Sequence, residues 1–270
     1  MDFTLKKYQT LIKTLIKQDY NFQTFQKFLE KPKSKSIVLR HDVDKLPENS
    51  LRFAKIQNEL GIKGSYYFRI VPESFNTDII KEIAELGHEV GYHYEDVDLA
   101  VKSMKNEKLI INNEEKIANQ GIVLFEKHLT DLRKYYPVKT ICMHGSPLSK
   151  YDNKLLWKYF NYKDYGLIGE PYFDVDFSKV LYLTDTGRRW DGEKVSVRDK
   201  VTVRNGEKKK QFEFKYTSDI INAARNGELP NQIMFTFHPQ RWTNNYYDWT
   251  KELVWQNAKN MIKFFLNKIR

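Results

Sequence analysis

The chain has 270 residues, 41% of them hydrophobic and 14% aromatic, which permits a substantial buried core and argues against intrinsic disorder. Its single cysteine, Cys142, excludes an internal disulfide, and no apolar run approaches the roughly 20 residues of a membrane-spanning helix. The net charge of +10 raises nucleic acid as a partner, but the lysines are dispersed and no nucleic-acid motif accompanies them, so a solvated basic surface able to attract an anionic substrate or a membrane leaflet is expected instead.

Residues 4–18 predict an amphipathic helix, with Leu5, Tyr8, Ile12, Leu15 and Ile16 on one face. Packing on its own domain is the expected role, and peripheral membrane contact the alternative. Lys6, Lys7, Lys13 and Lys17 interrupt any leader-like run, which predicts a cytoplasmic protein. Lys31-Pro32-Lys33-Ser34 breaks the chain before a strand over 36–41. A helix from Pro47 to about Leu60 ends at Gly61, and another over 77–86 ends at Gly87. Strands are expected over 62–70, 88–94 and 140–143, with a long helix over about 106–135. Apolar runs at 169–175 and 180–184 leave no room for a helix between them, and 195–216 alternates around Asn205-Gly206 like a hairpin. A helix over 217–226, a strand over 232–238 and a helix over 248–268 complete the chain.

This alternation predicts an α/β fold with a parallel sheet or barrel and a β-rich insertion near 168–216. One domain is expected: a helical N-terminal extension over 1–33, a core over 36–240 and a C-terminal helix over 246–270.

Five of the six histidines follow strand-like runs: His41, His88, His93, His144 and His238. An α/β scaffold gathers metal ligands and acid–base groups in this way at one rim of its sheet. Asp42 and Asp44 flank Val43, so an extended backbone puts both carboxylates on one face. His88 and His93, five residues apart, would face opposite ways on one strand. Cys142, inside an apolar run, reads as a small buried thiol.

The order Arg40-His41-Asp42-Val43-Asp44, then Gly87-His88-Glu89-Val90-Gly91-Tyr92-His93, then Phe237-His238 resembles the polysaccharide deacetylase superfamily, carbohydrate esterase family 4. The resemblance runs from about 36 to 240 and implies an incomplete (β/α) barrel. It also implies a divalent metal, usually zinc, and removal of an acetyl group from an acetylated sugar or glycan precursor. Carried over motif by motif, Asp42 is the base, Asp44 and His93 are metal ligands, and His238 is the general acid. The family's second motif has another histidine four residues beyond the first, where this chain has Val97. His144 is the preferred replacement, with Glu95 and His88 as alternatives. The tail Asp185–Trp190 loosely matches a region that lines the family's pocket, which makes Asp185 and Arg188 substrate-binding candidates. Trp242 joins them, with Glu170, Tyr172, Gln240 and Arg241 as weaker pocket candidates and Gly145 and Ser146 as backbone donors to an oxyanion. The alternatives are a hydrolase of another, cyclic amide on the same fold and a non-catalytic glycan-binding relative.

Overall fold

The computed structural model describes residues 1–106, 113–146, 149–190, 212 and 214–269, with side chains to residue 260. Its centre is a strand, β2 (Ser36–Val43), whose residues are all buried. The other strands are β1 (Asn21–Gln23), β3 (Ser65–Phe68), β4 (Glu89–Tyr94), β5 (Ile141–Met143), β6 (Leu181–Thr184) and β7 (Gln232–Phe237). They form one sheet in the order β5-β4-β3-β2-β7-β6, with β1 added to the first half of β2. Every pairing is parallel. The sheet stays open, as a curled half-barrel surrounded by helices.

Both faces are covered, so β2 reads as a near-continuous buried run rather than an alternating one. Ile37, Leu39 and Val43 join the larger core cluster with Tyr8, Leu11 and Leu15 of α1 (Leu5–Lys17) and Phe53 and Ala54 of α3 (Pro47–Glu59). On the opposite face Val38, Tyr67, Cys142 and Met234 pack with Phe25 and Phe28 of α2 (Phe25–Glu30). Gly91 has to lack a side chain there. A Cβ would stand 2.3 Å from the buried Tyr67 ring and 2.9 Å from the Thr140 carbonyl oxygen.

The inner face is also polar at its beginning. The Glu89 carboxylate accepts hydrogen bonds from Ser65, Thr140 and the backbone N–H of Gln26, and Ser65 accepts from the N–H of Phe25. These bonds satisfy free amides at the start of α2 and fix that helix under the N-terminal strand ends. The opposite rim is left for chemistry.

The remaining helices are α4 (Thr77–Glu85), α5 (Asp96–Asn106), α6 (Glu114–Arg133), α7 (Leu156–Tyr159), α8 (Pro171–Asp174), α9 (Thr217–Arg225) and α10 (Tyr246–Ile269). Several expectations need correction. Residues 1–33 are no appended extension, since β1 belongs to the sheet and α1 sits in the core. The long helix over 106–135 is α6 alone, preceded by α5. The run at 169–175 forms α8, because Glu170 caps it and Pro171 opens it. Residues 180–184 are no part of an insertion either: β6 pairs with β7 as a full member of the sheet. The Asn205-Gly206 hairpin lies outside the described residues. Among them, no helix is long and apolar enough to cross a membrane.

Candidate active site

Four strands of the sheet deliver polar groups to the C-terminal rim, where ligands bind in parallel α/β sheets. β2 brings Asp42 and, one residue past its end, Asp44. β4 brings His93 and then Glu95. His144 follows β5, and His238 follows β7. Asp44 is the hub. Its Oδ1 lies 3.5 Å from His93 Nε2 and 3.8 Å from His144 Nε2, and its Oδ2 lies 4.0 Å from His238 Nε2. Asp42 Oδ2 is 3.8 Å from His93 Nε2.

The far nitrogen of each imidazole has an acceptor. His93 Nδ1 donates to the Cys142 carbonyl at 2.9 Å. His144 Nδ1 is 3.1 Å from a Glu95 oxygen, and His238 Nδ1 is 2.6 Å from Asp185 Oδ1. A carbonyl or carboxylate can only accept, so each Nδ1 carries a hydrogen, and in the neutral ring it is Nε2 that presents its lone pair toward Asp44. Glu95 is itself fixed by two bonds of 2.8 Å from Arg69, which also donates to the Asp44 backbone carbonyl.

The carboxylates differ in their surroundings. Asp42 accepts two bonds from Arg40, at 2.8 and 2.6 Å. Burial pushes the Asp42 carboxyl up, but the charges of Arg40 and His93 outweigh it and hold the group below the usual range. Burial likewise opposes ionisation of Asp44, and the surrounding imidazoles reverse it by a wide margin. His93 moves the other way: burial lowers it, and Asp42 and Asp44 together raise it.

Asp185 is fully buried. It accepts from the His238 ring and backbone N–H, from Arg241 at 2.9 Å and from the Trp242 indole at 2.6 Å. It therefore holds His238 and is not a substrate-binding residue. Trp242 is also fully buried, among Phe3, Tyr8, Phe53 and Phe237, which leaves no ring face for a sugar. Arg188 lies over the Phe3 and Trp249 rings and donates to the Trp249 carbonyl. It braces α10.

Val97 is buried in the core on α5, where no ligand could stand. His88 bonds the Ala54 carbonyl and the Gly64 N–H on the helix-covered face, which excludes it as a ligand. His41 lies on that face too, stacked on Tyr66, and burial pulls its pKa down to about 3. His128 pairs with Asp96 outside the rim. Sequence reasoning gave no role to Arg40 or Arg69. Arg40 and Asp42, two apart on one strand, share a face, and that spacing is the signal that could have found the pair.

Two donor sets share His93. Asp42, His93 and Cys142 have ligand atoms within 4.8 Å of one another. Asp44, His93 and His144 form the second. The first suits a cation poorly, because both oxygens of Asp42 already hold the Arg40 guanidinium, a positive charge that would repel another. Cys142 Sγ points toward the Met143 carbonyl within an apolar cluster. In the second set Asp44 Oδ1 is buried without a hydrogen-bond partner. A buried carboxylate oxygen left bare is costly unless a cation satisfies it. Its separations of 3.5 and 3.8 Å from the two Nε2 atoms compare with about 3.4 Å expected between ligands of a tetrahedral zinc ion. Asp44 Oδ1 thus stands between two imidazole nitrogens, while among the described residues the set whose three ligand atoms all lie within 4.8 Å of one another is the first.

No family model and no curated protein matches the chain. Among solved structures it is similar to a CE4 family pseudoenzyme from Bacillus anthracis, at 14% identity and a TM-score of 0.43, over 86% of this chain and 62% of that one. It is also similar to the CE4 domain of a multidomain xylanase from the hindgut metagenome of Trinervitermes trinervoides, at 14% identity and a TM-score of 0.36, with 87% and 85% covered. A third is a peptidoglycan N-acetylglucosamine deacetylase, at 15% identity and a TM-score of 0.38, with 88% and 90% covered. The chain thus spans less than two thirds of the length of the pseudoenzyme, the first of the three.

Proposed function

We propose that the chain is a metal-dependent hydrolase that removes an acetyl group from an acetylated sugar or glycan precursor. One observation carries the reading. Asp44 Oδ1 is buried and unpartnered between the free nitrogens of His93 and His144, with a carboxylate on one side and a carboxylate-backed histidine on the other. Such an arrangement provides a cation site, a base and an acid within one rim.

Asp44, His93 and His144 would hold a divalent ion, zinc matching imidazole and oxygen donors best, and that ion would supply Lewis acidity toward an acetyl carbonyl and water. Asp42 is ionised at neutral pH and accepts the proton of the attacking water. Arg40 holds that carboxylate in place through two bonds. His238 enters the reaction as the imidazolium, with Nδ1–H on Asp185, and delivers its Nε2 proton to the departing nitrogen, since an amide does not expel a free amine anion; the proton that Asp42 took from water leaves to solvent. Asp185 orients the ring and stabilises its cationic form before the transfer.

The reading is tested by adding zinc to metal-free protein and measuring acetate release from N-acetylated sugars. Stoichiometric zinc and acetate release are expected, both lost in His93→Ala. Asp42→Ala and His238→Ala should each abolish turnover while keeping the metal. Near-normal activity in either variant, or failure of the wild type to bind metal, would sink the proposal.

A further inference from the structure

An open cavity of about 300 Å³ adjoins Asp44 at the rim. Its described lining consists entirely of charged and amide side chains, with no aromatic face for a sugar ring to stack on. Four of them are cations: Lys45, Arg69, Arg241 and Lys259. They come from the ends of β2, β3 and β7 and from α10, so the fold converges positive charge beside the proposed reaction centre.

The counter-charges are placed unevenly. Arg69 pairs with Glu95 and Arg241 with Asp185, but those carboxylates are 2% and 0% exposed against 19% and 10% for the arginines. The acids lie behind the wall, and the guanidinium edges lie nearer the opening. Lys45 is 3.7 Å from Glu252. Lys259 has no carboxylate partner among the described residues and sits 5.0 Å over the Trp255 ring. Burial and the neighbouring charge of Lys45 pull its pKa below the usual lysine value. Three wall acids remain: Asp44, the proposed metal ligand, Glu252, which is engaged by Lys45, and Glu73, which is solvent-exposed. A ligand bringing several acceptor oxygens and negative charge would relieve the like-charge crowding around Lys259.

We propose that this cavity is an anion subsite for a phosphate carried by the acetylated substrate. The substrate class is then a phosphorylated or nucleotide-linked acetamido sugar rather than a neutral glycan. The acetyl end of this assignment rests on the hydrolase reading; the phosphate end does not.

Calorimetry with N-acetylglucosamine, its 1-phosphate and its UDP derivative tests it, run on protein without metal so that phosphate cannot bind the cation instead, and repeated with zinc. Both phosphate-bearing sugars should bind about tenfold or more tightly than the neutral sugar, as charged hydrogen bonds permit. Stronger binding of the UDP sugar marks a nucleotide as the source of the phosphate, and stronger binding of the 1-phosphate marks a monoester. Lys45→Gln and Lys259→Gln should each remove most of the preference, whereas Lys251→Gln, exposed on the same helix, should keep it. Equal affinity for neutral and phosphorylated sugars, or a preference that survives Lys45→Gln/Lys259→Gln, overturns the subsite. A zinc-loaded protein that prefers phosphate but releases no acetate overturns the hydrolase reading alone.

Discussion

Arg40 and Asp42 face each other two residues apart on the same strand, joined by bonds of 2.8 and 2.6 Å with both side chains about 95% buried. A pair so enclosed is expensive to break from one side, because the surviving charge stays in the core. Arg40→Ala should therefore destabilise the fold by about 3–5 kcal/mol. Replacing both partners, Arg40→Met with Asp42→Leu, should recover much of that loss. Urea unfolding of the three proteins measures it. An Arg40→Ala variant as stable as wild type would show that the pair has little part in holding the inner face together.

The two candidate donor sets make opposite predictions. If Asp44, His93 and His144 hold the ion, His144→Ala lowers zinc affinity severely and Cys142→Ser leaves it almost unchanged. Competition with a chromogenic chelator gives both constants. The reverse pattern would move the centre inward to Asp42, His93 and Cys142.

Glu95 should matter without touching the ion. Its carboxylate fixes the His144 ring and is fixed in turn by Arg69. Loss of such a partner typically costs about 10–100-fold in metal affinity. Glu95→Gln should fall in that range, and Arg69→Met should do the same at one remove. Unchanged zinc affinity in Glu95→Gln would mean that His144 needs no orientation.

The rim was legible because each motif follows an apolar run, and strand ends are where a parallel sheet exposes its polar groups. The convergence of Asp42, Asp44, His93, His144 and His238 follows from that placement. Sequence alone does not reveal which neighbour a polar group will face. Asp185 and Trp242 look like pocket residues in one dimension, but they turn inward to hold His238. α5 was missed because Glu95-Asp96-Val97-Asp98 reads as a polar loop, although Val97, Ala100, Val101 and Met104 already carry helical spacing. β1 has three residues, too few for a period of two to register.

Glu170 gives a prediction in pH. It is fully buried at the start of α8 and accepts from the N–H groups of Met143 and Tyr172 at 3.1 and 2.5 Å. Burial outweighs those bonds and pushes its carboxyl from 4.5 up to about 7. A folded-state pKa raised above the unfolded value gives stability that is complete below about pH 4.5 and lost as pH rises through about 7. For a shift of this size the change is of order 3 kcal/mol. His41 and His88, pulled down by burial to about 3 and about 4, act in the opposite sense, so the absolute curve mixes them. The informative quantity is the difference between wild type and Glu170→Gln. Urea unfolding from pH 4.5 to 8 should show wild type losing stability relative to the variant as pH increases. A difference that stays constant across that interval would mean Glu170 ionises without penalty, and that the turn after β5 is held by something other than a protonated acid.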